Sequence, residues 1–335
     1  MIKKVFKEVI NEFKTNYKIY IVYLILLLAL FIPFDYYIYS SGGLVDLSDR
    51  IIVEDSYESK GSINLTYVSV RNANIYTILL SYIIPGWDLK PSENLKIDNE
   101  SKNEILERDK IYLKETSYDA IISAFKEANL PYKVLKNDVT ITYVFDEADT
   151  DLEVGDIITK IDDELIENVS DIASVLANHN ENDSIKIDVI RNNKEKSCYA
   201  KVIVKDNKKV IGLLIANMKD VVSTPSVEYV FKDSESGSSR GLMCALDIYN
   251  KITEYDITKG DIISGTGSID ENGKVGSIDG VKYKLSGAVK NKASVFIVPS
   301  DNYKEALKEK EKNKYDIEII EASNLHELIE KLKNR

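Results

Sequence analysis

The chain has 335 residues, 44% of them hydrophobic, and a formal net charge of −11. That length leaves room for two domains and an anchor, and the acidic balance argues against a nucleic-acid partner, because holding phosphates requires basic surface. With only two cysteines (Cys198, Cys244) and two histidines (His179, His326), a disulfide framework, a zinc cluster and a Ser-His-Asp triad are all disfavoured, which leaves a lysine as the natural base for any serine nucleophile.

The first 18 residues carry Lys3, Lys4, Lys7, Lys14 and Lys18 against Glu8 and Glu12. Ile19 to Phe34 then contains no charge. As a helix this run spans roughly 24 Å, a little short of a bilayer core. Tyr36, Tyr37, Ile38 and Tyr39 extend it as an interfacial aromatic belt. The expectation is a cytoplasmic segment 1–18, a transmembrane helix over 19–39 and everything beyond on the outer side of the cell membrane, since the basic flank faces the cytoplasm. A cleaved signal peptide is the alternative, but no A-x-A-like site follows the apolar run.

Ile51–Val53 and Ser62–Val70 alternate as strands. Ala73–Ile84 is largely apolar and is broken by Pro85-Gly86-Trp87. Residues 102–130 read as a helix burying Leu113, Ala120, Ile121, Ala124 and Phe125. From 131 to 205 the pattern changes to a strand at 139–145, Leu152-x-x-Gly155-Asp156-Ile157-Ile158, a helix at 170–177, and a strand pair around Asn192-Asn193. Gly155 supplies backbone freedom and Asp156 can bond local N–H groups. This order resembles a bacterial PDZ domain. The resemblance implies a peptide-binding groove between the strand 139–145 and the helix 170–177, where a ligand adds as a strand. The preceding Lys136-Asn137-Asp138 does not match the family's carboxylate-binding loop.

After residue 206, Val227–Phe231 reads as a strand leading to Gly237-Ser238-Ser239-Arg240-Gly241 and an amphipathic helix carrying Leu242, Ala245, Leu246, Tyr249 and Ile252. Ile262–Ile269 reads as one strand, Asp270–Gly273 as a hairpin turn, Lys274–Ile278 as its return, and a helix carrying Lys282 and Lys284 follows Gly280. A strand at 293–298 and charged helices at 303–312 and 324–333 close the chain.

Gly237-x-Ser239-x-Gly241, Gly265-Thr266-Gly267, Gly273-x-Val275 and Gly280-Val281-Lys282-x-Lys284-Leu285 together resemble the proteolytic domain of Lon-type proteases. Asn64-Leu65-Thr66 and Lys114–Ser117 are similar to the strand and helix that open that domain. With the transmembrane helix expected at the N-terminus, the resemblance implies an α+β fold: a Lon-type proteolytic domain (50–130 and 206–335) interrupted by the PDZ-like domain (131–205). It further implies a catalytic dyad of Ser239 and Lys282, with Thr266 holding the lysine and Gly237 and Gly241 shaping the turn. Lys284 is expected to face solvent.

No phosphate loop is present, so the expected activity is ATP-independent cleavage of peptides or proteins, with no cofactor, no metal and a homo-oligomer as the family's usual assembly. Two features depart from the family pattern: Arg240 beside the serine, and Asp279 before Gly280. They keep open a catalytically impaired, membrane-tethered peptide-binding scaffold. Ser123-Ala124-Phe125-Lys126 with Ser300-Asp301-Asn302 fits part of a penicillin-binding-protein signature, but no K-T-G follows.

Overall fold

A computed structural model describes residues 2–91, 97, 100–232 and 238–335. The chain divides into two units, one of Met1–Ser41 with Val68–Leu95 and the other of Gly42–Tyr67 with Lys96–Arg335. Chain order begins with α1 (Ile2–Ala29), β1 (Pro33–Asp46), β2 (Ile51–Val53), β3 (Ser62–Asn74), α2 (Ile75–Ser81) and β4 (Asp88–Pro91).

The helix expected over 19–39 is not formed as one element. α1 stops at Ala29, and Tyr36–Tyr39 instead pair antiparallel with Asp88–Pro91. Pro33 lacks an N–H for the helical ladder and disfavours the α conformation at Ile32, while the aromatic run behind it suits a pleated strand. No described helix is long and apolar enough to cross a membrane. The side chains from Ile21 to Leu28 are all exposed. α2 is started by Asn74, whose side chain accepts from the Thr77 N–H while the Thr77 hydroxyl accepts from the Asn74 N–H.

In the second unit, α3 (Lys102–Glu127) opens with a capping box between Ser101 and Glu104. It buries the expected face of Ala120, Ile121, Ala124 and Phe125, with Leu113 half-buried. Next come β5 (Tyr132–Val144), β6 (Ile157–Ile161), β7 (Glu164–Leu165), α4 (Val169–Ala177), β8 (Ser184–Arg191), β9 (Lys194–Lys201), β10 (Ile203–Lys205), β11 (Lys208–Val210) and β12 (Leu213–Ser223). Five of these strands lie in the order β12-β5-β6-β8-β9. Asn192 and Asn193, at φ 51° and 61°, make the tight turn between β8 and β9. Asp156 is structural: buried, it accepts from the Glu153 N–H at 2.9 Å and from Arg191 Nε at 2.7 Å.

This sheet does not end at residue 205. β12 pairs antiparallel with β5 along its length, from Leu213 opposite Val144 to Ser223 opposite Tyr132. It also lies against α4, with Leu213 and Ile215 packed on the core that Ile172, Val175 and Leu176 of α4 help to form. The edge of β5 expected to receive a peptide is therefore filled by the chain's own return strand. Lys136–Asp138, expected as a loop, are part of β5 and face Asp220–Met218.

The chain then continues with β13 (Val227–Tyr229), α5 (Gly241–Ile252), β14 (Ile262–Gly265), β15 (Ser268–Ile269), β16 (Val275–Gly276), α6 (Val281–Lys290), β17 (Val295–Pro299), α7 (Ser300–Asn313), β18 (Glu318–Ala322) and α8 (Leu325–Lys333). β13 pairs with β2. β18, β17, β14 and β3 are parallel neighbours. Their alternate side chains face two cores, as parallel strands buried on both sides require. Ile263, Val295 and Ile297 join α5 and α8, whereas Phe296 and Val298 join α6 and α7. The single strand expected over 262–269 is broken at Thr266-Gly267. Thr266 N–H still donates to Ile297 O, but Gly267 N–H turns to Ser239 O at 2.8 Å, so the backbone leaves the sheet there. The return strand 274–278 shrinks to Val275–Gly276.

Because both edges of β5 are occupied, amide hydrogen exchange on the peptide-free protein should find 213–222 protected together with 134–144. Fast exchange throughout 213–222 would mean that the groove stands open.

Candidate active site

Ser239 lies in a 3-10 turn, Ser238–Arg240, directly before α5. Its carbonyl is gripped twice from the break after β14: Gly267 N–H donates at 2.8 Å and Thr266 Oγ1 at 3.0 Å. In return, Leu242 N–H donates to Gly267 O at 3.0 Å. Gly241 is compressed between α3 and β15, where a Cβ would stand 2.7 Å from Thr116 Cγ2 and 2.9 Å from Ile269 Cγ2. Gly237 lies outside the described residues.

The lysine brought to this turn is Lys284, contrary to the expectation of Lys282. Lys284 is 5% exposed, and its Nζ donates to Thr266 Oγ1 at 3.0 Å. Burial depresses its pKa to about 8, against a smaller opposing pull from the Asp279 carboxylate. That depression is worth about 3 kcal/mol against the charged form. Lys282 is half-buried and holds its Nζ 4.8 Å from the centre of the Tyr283 ring. The reason is helical phase. Val281, Leu285 and Ala288 are buried on α6, and position 284 shares their i, i+3, i+4, i+7 stripe, whereas 282 falls about 100° away. The same apolar stripe is readable from the sequence and singles out Lys284.

Thr266 has one hydroxyl proton, which it gives to Ser239 O. Its lone pairs are what remain for Lys284, so it accepts there. A neutral Lys284 would keep a nitrogen lone pair for a proton. α5 also directs the positive end of its dipole toward the turn. A serine held by its backbone, a buried amine and a helix N-terminus form a set suited to acyl transfer.

The other candidates are placed elsewhere. Ser123 is buried and donates to Ala120 O, and Lys126 Nζ donates to Glu271 O. The Asn302 side chain holds both backbone groups of Ile278. Cys198 and Cys244 are both buried and free, and burial pushes the Cys244 thiol up to about 12, which leaves it inert as a nucleophile.

Residues 230–334 match the Lon protease (S16) C-terminal proteolytic domain, and residues 128–202 match a PDZ domain. Among solved structures, a PDZ domain of an SdrC-like protein from Listeria monocytogenes is 24% identical, covering 25% of this chain and 93% of that one, with a TM-score of 0.23. The corresponding domain from Listeria innocua is 23% identical over 23% of this chain and 92% of that one, TM-score 0.22. A solution structure from Geobacillus thermodenitrificans is 22% identical over 23% and 94%, TM-score 0.21. No curated protein matches the chain.

Gly241→Ala should destabilise the protein by about 1–3 kcal/mol through overpacking. Denaturant unfolding checks this; an unchanged midpoint would show that Thr116 and Ile269 move aside freely.

Proposed function

We propose that this chain, which carries a PDZ domain and a Lon (S16)-type proteolytic domain, is a serine endopeptidase acting through Ser239 and Lys284. The observation that carries the reading is the buried Lys284 amine held on the same Thr266 hydroxyl that grips the backbone of Ser239. Ser239 Oγ attacks a peptide carbonyl while neutral Lys284 takes the hydroxyl proton. Backbone N–H groups where α5 begins stabilise the oxyanion. The ammonium of Lys284 then returns the proton to the departing amine. Water hydrolyses the acyl ester by the same proton route in reverse and frees Ser239.

The sequence contains no phosphate loop, which supports ATP-independent cleavage of unfolded or loose substrates. The exposed apolar side chains Ile21–Leu28 behind a lysine-rich start support attachment to a cell membrane through α1, with the proteolytic and PDZ domains outside the cytoplasm. A homo-oligomer accords with the family's habit. In the PDZ domain the groove is filled by β12, so a peptide ligand there would enter by displacing that strand.

Cleavage of an unfolded protein by the purified full chain tests the reading. Ser239→Ala and Lys284→Met should each lower kcat by about a thousandfold or more, while Lys282→Met should stay within about twofold of wild type. Activity surviving in Lys284→Met but lost in Lys282→Met would return the base to Lys282.

Only the neutral amine accepts a proton, so activity should rise with pH through about 8. Asp279 favours the ammonium. Asp279→Asn should therefore move the rise to lower pH; a shift to higher pH would contradict Lys284 as the base.

A further inference from the structure

Resting on the protease reading, we infer that Arg240 is a positioning residue that clamps the nucleophile turn from the side opposite Thr266. The long cationic side chain beside Ser239 is the feature that first puts activity in question. It does not enter solvent: Arg240 is 5% exposed. Its guanidinium donates to Ser117 Oγ at 3.0 Å and to Leu113 O at 3.3 Å, both on α3. Its carbon Cζ stands 3.9 Å from the centre of the Phe231 ring. Phe231 in turn stacks with Tyr229, whose hydroxyl donates to Ser117 O at 2.8 Å. Phe231 and Arg240 thus hold together the two ends of the segment that contains Ser239.

The geometry explains why the clamp needs arginine. A flat guanidinium can lie on a ring and still send N–H groups sideways to two acceptors, which an ammonium cannot do. The Ser239 carbonyl is held by Thr266 and Gly267 on one side. Arg240, the next residue, is held by α3 on the other. With the Ser239 carbonyl and the next side chain both held, the turn keeps one backbone course beside the Thr266–Lys284 pair. A smaller side chain at 240 would leave only the Thr266 side of that restraint.

The test uses the purified full chain, a quenched-fluorescent unfolded protein as substrate and a serine-directed fluorophosphonate as covalent probe. Arg240→Ala should lower kcat, and the rate of probe labelling, by about ten- to a hundredfold with KM changed little, because a misplacement near 1 Å has that scale of cost. Millimolar guanidinium should restore part of the loss by refilling the site over Phe231. Arg240→Lys, which keeps the charge without the flat face, should remain slow, and Phe231→Ala should lower kcat in the same way. The clamp is overturned if Arg240→Ala labels and cleaves like wild type. It is equally overturned if the loss follows the unfolded fraction and guanidinium restores nothing. Wild type that labels where Ser239→Ala does not keeps the protease reading standing in either case; wild type that fails to label overturns that reading and the clamp together.

Discussion

One hydroxyl orders the candidate site. Thr266 Oγ1 carries a single proton and spends it on the Ser239 carbonyl, so its lone pairs face the buried Lys284 amine. The same residue marks the place where the chain leaves the parallel sheet: its N–H still reaches Ile297 on β17, while the next N–H reaches the turn at Ser239. The sheet, the turn and α6 therefore meet at one side chain. A valine there would keep the shape and lose both hydrogen bonds, leaving an amine buried with no acceptor at that point.

The turn also rests on α3, which makes two sets of contacts. Leu113 and Ser117 receive Arg240, and Thr116 packs where Gly241 has no side chain. On its other flank, Glu115 accepts from Asn217 N–H, and Asp119 pairs with Lys219, both residues of β12. Lys219 also reaches Glu271 in the turn between β15 and β16. Burial, reinforced by Asp119, holds the Glu115 carboxyl up to about 7, so this junction is costly to charge and is relieved by the Asn217 and Lys219 contacts. The strand that fills the PDZ groove is thus fastened to the helix that supports the Ser239 turn. The entry and exit of the inserted domain form one antiparallel ribbon, β5 with β12. A return strand with unpaired backbone groups finds its partners on the nearest open edge, and here that edge is the groove.

Much of this was legible without coordinates. Alternation marked β2 and β3, and the apolar stripe of α3 named Ala120, Ile121, Ala124 and Phe125 as buried. Asn272-Gly273 marked the hairpin, where Gly273 takes φ 78°. The spaced motifs brought Ser239 and Thr266 together as a unit. Less legible was the N-terminal run. Hydropathy alone joined Ile19 to Tyr39, yet a proline at 33 and a pairing partner at Asp88–Pro91 divided it between helix and strand.

The sequence by itself determined the candidate groups and their order along the chain: a serine between glycines, a threonine after a strand, a lysine pair opening a helix, and a β-rich insert ahead of them. The apolar stripe of Val281, Leu285 and Ala288 already singled out Lys284 as the inward lysine, but tertiary structure decided that Thr266 is what it meets, because that depends on how α6 is set against β14 and β17. Tertiary structure alone decided what fills the edge of β5, because a strand pairs with whichever backbone lies alongside it. And it turned Arg240 inward, since a guanidinium becomes a clamp only where an aromatic face and two oxygen acceptors converge on it.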